Sequence, residues 1–198
     1  MSENYQKAYE RWMEEPSLEP DLKDALWEMA GKDEEIHEAF YRDLAFGTAG
    51  LRGIMGPGTN RMNAAVIQRV TQGIADFLLG QPGTPAAPAA VDPYPEQSEP
   101  DLTNAPAVAI SYDSRHNSKL FAETTASVLA ANNIRVFMFR QMMPVPALSY
   151  VTRQLKCRMG IMITASHNAK EYNGFKVYGA DGGQSLADTA DEILEKIN

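Results

Sequence analysis

Internal disulfides are excluded from the start, because the 198 residues include a single cysteine, Cys157. With no bridge to form, a reducing, cytoplasmic setting is the expected one. No apolar run approaches the roughly 18 residues of a membrane span, so no membrane partner is expected. The opening residues Met1-Ser2-Glu3-Asn4-Tyr5 carry neither the basic nor the apolar region of a secretory leader. Gly179, Gly182 and Gly183 lack the spacing of a dinucleotide fingerprint and read as a turn. No internal repeat stands out.

Basic charge is also scarce overall, with a formal net charge of −8, but it is unevenly spread. Residues 1–43 hold 5 Lys/Arg against 13 Asp/Glu, whereas residues 102–180 hold 9 against 3. The acidic excess belongs to an N-terminal stretch, and the remainder is locally basic. A basic region of that kind suits a small anionic substrate. Nucleic acid is not the expected partner, since the cations are scattered and lack interleaved aromatics.

The pattern of apolar residues divides the chain into a helical extension over 1–45 and an α/β domain over 46–198. Tyr5, Ala8, Tyr9, Trp12 and Met13 form one helical stripe. Leu22, Leu26 and Trp27 suggest a second helix, and Asp33 is the expected cap of a third with Ile36 and Phe40 inward. The stripe must lie on the domain below or on a partner. Residues 46–60 are rich in glycine and read as loop and short strand, after which Asn63 caps a helix bearing Ile67, Val70, Ile74, Phe77 and Leu78. Seven of the 12 prolines fall at about 80–106, a composition that cannot bury enough apolar area to fold and reads as an insertion. Strands at 107–111, 135–139 and 159–163 then alternate with helices at 118–131 and from Pro144 onward. A further strand at 175–178 and a last helix capped by Ser185 or Asp188 complete the pattern. Alternation of this kind predicts a three-layer α/β/α fold around a mixed, largely parallel sheet.

Three segments carry candidate chemistry. Thr164-Ala165-Ser166-His167-Asn168 directly follows the apolar strand 159–163, and ligands of open α/β sheets bind beyond the carboxyl ends of strands. A hydroxyl there, beside an imidazole and an amide, can meet substrate, and neighbouring donors can bind phosphate oxygens. Gly47-Thr48-Ala49-Gly50-Leu51-Arg52-Gly53 places a guanidinium in a loop whose glycines let the backbone approach an anion. Tyr112-Asp113-Ser114-Arg115-His116-Asn117-Ser118 ends another strand, with Asp113 and Arg115 as an ion pair bracing the loop. Blander readings exist for each. The serine could sit in an ordinary turn, Arg52 could be a surface cation, Lys176 could guard a sheet edge, His37 is structural, and His116 marks a helix entry.

Taken together with Asn173-Gly174-Phe175-Lys176, these segments resemble the α-D-phosphohexomutase superfamily, in family order and over most of the chain outside the extension and the Pro-rich insertion. The resemblance implies the N-terminal domain of a phosphoglucomutase- or phosphomannomutase-type isomerase. Ser166 would be its phosphoserine, and Arg52, Thr48, Asn168 and Lys176 would bind phosphate. His167, Arg52 and Lys176 would assist Ser166 in transfer, with Asp113 and Arg115 behind them. It further implies Mg²⁺ on a phosphoseryl oxygen, a sugar 1,6-bisphosphate activator and a sugar phosphate substrate. The family's alternating-aspartate metal loop is not found here, so further domains are expected and the chain alone is expected to be an inactive fragment. One departure is Ala169, where the family's loop usually has proline. Glucose phosphate is the expected substrate, with mannose or pentose phosphates as alternatives. A noncatalytic phosphate-binding module is the alternative of another class, and a serine hydrolase ranks last because no Gly-x-Ser-x-Gly elbow surrounds Ser166.

Overall fold

The computed structural model describes residues 5–47, 50–81 and 105–197. Three short helices come first: α1 (Tyr5–Glu14), α2 (Pro20–Glu28) and α3 (Asp33–Phe40). They are followed by β1 (Gly50–Ile54), α4 (Ala64–Gly80), β2 (Ala107–Tyr112), α5 (Ser118–Ala131) and β3 (Arg135–Met138). The chain continues with α6 (Val145–Gln154), β4 (Met159–Ile163), β5 (Tyr172–Gly179) and α7 (Ala187–Ile197). The Pro-rich insertion lies outside the described residues over 82–104.

The strands form one mixed sheet in the order β1-β5-β4-β2-β3. Strands β3, β2 and β4 run parallel, and β5 and β1 add antiparallel pairings at the other side. Side chains alternate between the two faces along each strand. Val108, Ile110, Ile161, Ile163, Phe175 and Val177 face the large core built with α4, α5 and α7. Ala107, Ala109, Met162 and Tyr178 face the opposite way, onto Leu148 of α6. The small residues there let α6 approach closely, and a Cβ on Gly160 would come within 2.7 Å of Thr152 Oγ1. Helices thus cover both faces, the three-layer α/β/α arrangement expected from the alternation.

Asn63 is the cap the sequence suggested. Its Oδ1 accepts from Val66 N at 2.9 Å, and its Nδ2 donates to the carbonyls of Gly56 and Gly58. One side chain therefore starts α4 and ties down the glycine loop before it.

In the extension, the α1 stripe closes on its own neighbours. Ala8, Leu26, Ile36, Ala39 and Phe40 form a separate small core, and Trp12 also packs against the large one. Several local expectations need correction. Lys32, not Asp33, precedes α3; Asp33 is its first helical residue and accepts a hydrogen bond from Tyr5 Oη. Trp27 is 67% exposed, because Leu26 alone takes the inward position on that turn. The last helix starts at Ala187, so Asp188 lies in its first turn and Ser185 instead bonds its N–H to Val177 O. Strand β5 begins three residues earlier than the apolar run, since Asn173 and Gly174 pair with Gly53 and Arg52 of β1.

Candidate functional site

The sheet register assembles the site. Ile163, the end of β4, lies beside Tyr112, the end of β2, so the loops 113–117 and 164–171 leave the sheet side by side. The second loop reverses into β5, which pairs antiparallel with β4 and sets Lys176 opposite Met162. Strand β1 then pairs with β5, placing Arg52 opposite Gly174 and Gly50 opposite Lys176. Arg52 and Lys176 are therefore diagonal neighbours on one face of the sheet.

Ser166 is exposed, in the left-handed backbone region at φ 57°. Few residues other than glycine and asparagine adopt that conformation without support. Its N–H is held by Thr164 Oγ1 at 2.9 Å. Lys176 Nζ donates to Ser166 Oγ at 2.7 Å, a charge-assisted contact with an exposed hydroxyl. Burial, and secondarily the Arg52 guanidinium, push the Lys176 ammonium below the ordinary lysine range. Because a positive neighbour disfavours a second positive charge, Arg52→Gln should raise the Lys176 pKa. The rise should fall short of the ordinary value, since burial remains. An NMR titration of the lysine Nζ resonance measures this, and an unmoved or lowered pKa would contradict the juxtaposition.

Arg115 holds the serine loop in place. Its guanidinium donates to the carbonyls of Ser166, Asn168, Ala169 and Tyr172 at 2.6–3.1 Å and stands 3.6 Å from Asp113 Oδ2. Asp113 Oδ1 in turn accepts from Ser118 Oγ and from Arg115 N. Asn173, fully buried, donates to Ser118 Oγ and to His116 O. The network knits both loops to the start of α5. Sequence reasoning assigned no role to Asn173, Ser118 or Gly174. The signals were the motifs that contain them and an Asn-Gly pair interrupting an otherwise apolar strand.

The structure thus brings Ser166, Lys176, Arg52, Asp113 and Arg115 together. His167 is exposed beside the serine, Asn168 is half-buried with its carbonyl on Arg115, and Thr48 lies outside the described residues. Among the described residues no group of three or more His, Cys, Asp or Glu could hold a metal ion. No helix among them is long and apolar enough to cross a membrane.

Comparison with known proteins bears on the family and the fold. The family model for phosphoglucomutase/phosphomannomutase, alpha/beta/alpha domain I, matches residues 86–198. The chain belongs to the phosphoglucomutase/phosphomannomutase family. A phosphoglucomutase of Staphylococcus haemolyticus (strain JCSC1435) is 40% identical over 161 residues, covering 81% of this chain and 26% of that protein. A phosphoglucomutase of Staphylococcus aureus (strain USA300) is 40% identical over 159 residues, 80% of this chain and 25% of its own length. A solved structure from Thermus thermophilus, assigned as a phosphomannomutase, superposes with a TM-score of 0.63 at 26% identity, over 79% of this chain and 30% of that one. The chain spans about a quarter of the length of the curated relatives it matches. The stretch matched by the family model contains the serine loop and Lys176, whereas Arg52 on β1 lies before it.

Proposed function

We propose that this chain is the phosphoryl-carrying domain of a phosphoglucomutase-like enzyme that interconverts sugar 1-phosphate and 6-phosphate. The observation that carries the reading is the exposed Ser166 hydroxyl at the end of β4, with Lys176 Nζ 2.7 Å from its oxygen. In the forward half-reaction, a sugar hydroxyl oxygen bonds to the phosphorus held on Ser166 Oγ. The Oγ–P bond breaks, and its electron pair stays on Oγ. Lys176 is placed to neutralise that oxygen or give it a proton, and Arg52 offers planar donors to the phosphoryl oxygens. The proton of the attacking hydroxyl passes to a nearby base, for which exposed His167 is the candidate. The bisphosphate so formed returns its other phosphoryl to Ser166 by the reverse steps.

The basic cluster at the sheet edge supports a sugar phosphate as substrate, and a sugar 1,6-bisphosphate would prime the serine. Mg²⁺ is the ion the family implies at a phosphoseryl oxygen. The described residues offer it no carboxylate cage, so its main ligands would come from the remaining domains. The remaining domains would come from the three-quarters of the relatives' length that this chain does not span. Within that reading, residues 1–45 form an N-terminal helical extension on domain I, which carries its insertion at about 80–106. Ser166→Ala in the full-length enzyme tests the proposal: lost turnover with a retained fold supports it, and near-normal turnover overturns it.

A further inference from the structure

The acidic stretch 1–43 contains two arginines, Arg11 and Arg42, against 13 Asp/Glu. Folding brings both to the lining of one cavity, with Arg69 as a third guanidinium. Three separate elements supply them: Arg11 comes from α1, Arg42 from the residues after α3, and Arg69 from α4. The cavity holds about 460 Å³, a size common to small-molecule sites. All three arginines are exposed, so a ligand can reach them from solvent.

Two of the guanidiniums are held by contacts that leave donors over. Arg42 lies over the Tyr41 ring, 4.9 Å from its centroid, and its Nε donates to Asn60 Oδ1 at 3.4 Å. Its two Nη groups meet no acceptor among the described residues. Arg69 Nη1 donates to Asp43 Oδ2 at 2.7 Å, while its Nε and Nη2 likewise meet none among them. Asp43 is the one acidic residue among the described residues that line the cavity. Three positive charges against one negative leave a balance of +2 there. A phosphate monoester carries a charge of about −1.5 to −2 at neutral pH. Its tetrahedral group offers three oxygens to planar donors arriving from three elements, where a carboxylate offers two.

This cavity is not the serine site. Leu51 and Phe175 face the core that α4 covers, so their neighbours Arg52 and Lys176 stand on the opposite face of the sheet. We propose that the cavity between α1, the residues after α3 and α4 is a second anion site, which takes the phosphate group of a small phosphorylated metabolite and so ties the helical extension to α4. The inference is independent of the reading of Ser166.

The test is an NMR titration of this chain with inorganic phosphate, read at the arginine Nε–Hε signals and the backbone amides. The Arg42 and Arg69 signals and the amides of residues 41–43 should shift with one dissociation constant. Sodium chloride at matched ionic strength should not reproduce those shifts. Arg42→Gln removes one charged, planar donor and should weaken the response at Arg69 by about tenfold. Asp43→Asn should act in the opposite direction and tighten binding by about threefold, since it removes the negative charge that competes for Arg69. Arg69→Gln, read at Arg42, takes the place of Arg42→Gln should that variant fail to fold. Any response of the serine loop through Arg52 and Lys176 should be the same in all of these variants. Silent Arg42 and Arg69 signals, equal shifts with chloride, or undiminished binding by the folded arginine variant would overturn the proposal. So would Asp43→Asn binding no tighter than the native chain, or a serine-loop response that falls in step with the one at Arg69.

Discussion

Given the proposed carrier role, Ser166→Ala in the full-length enzyme should lower turnover by at least roughly 10⁴-fold, because a covalent carrier cannot be replaced by any other oxygen at that point. Stability should hardly change. The side chain is exposed, and substitutions at such positions stay within about 0.5 kcal/mol, which is about 2 °C in melting temperature for a domain of this size. Alanine keeps the backbone N–H that Thr164 holds and the carbonyl that Arg115 holds, so the loop retains its anchors. The split between a large kinetic effect and a negligible thermal one is the informative result. Normal turnover, or a melt lowered by many degrees, would contradict the role assigned to this residue.

Gly174→Ala should give the opposite signature, a loss of stability that carries activity down with it. A Cβ at this position would lie 2.6 Å from Thr164 O and 2.9 Å from Leu51 O. Both are backbone atoms of adjoining segments, so the strain cannot be relieved by rotating a side chain. Gly174 N–H is held by Asn173 Oδ1, and Gly174 O accepts from Thr164 N, which starts the serine loop. Opening the sheet here would move Thr164, and with it the left-handed turn at Ser166. Overpacking of this kind costs about 3 kcal/mol, or about 6–12 °C in melting temperature. Thermal melts of this chain measure it, and an unchanged melt would show that the three strands are not as tightly paired as described.

Much of this architecture is legible in the residue pattern. Branched apolar runs such as Met159–Ile163 and the caps and stripes of α4 and α5 carry strong local signals, since periodicity and capping act over a few residues. The misjudged details are those decided by distant partners. Asn173 and Gly174 look like turn residues, yet pairing with β1 makes them strand. Trp27 looks like a core residue, but the small core of the extension is filled by Leu26 and Phe40. At the site, a hydroxyl after a strand end and a guanidinium in a glycine loop suggested anion chemistry at Ser166 and Arg52, and the family resemblance added Lys176. What the pattern could not show is how Arg115 is spent. Asp113 and Arg115 suggested a simple ion pair, while the guanidinium in fact makes its short contacts with four carbonyls of another loop. Those partners are more than 50 residues away in sequence, and only the register of β2 against β4 brings them into reach.

One experiment bears most directly on the claim that a single serine oxygen shuttles phosphate. Full-length protein would be incubated with a sugar 1,6-bisphosphate, and its peptides mapped by mass spectrometry. One added phosphoryl group is expected, located on Ser166 and discharged by sugar monophosphate. A Ser166 that stays unmodified, or a phosphoryl group found on another residue and discharged at the same rate, would contradict it.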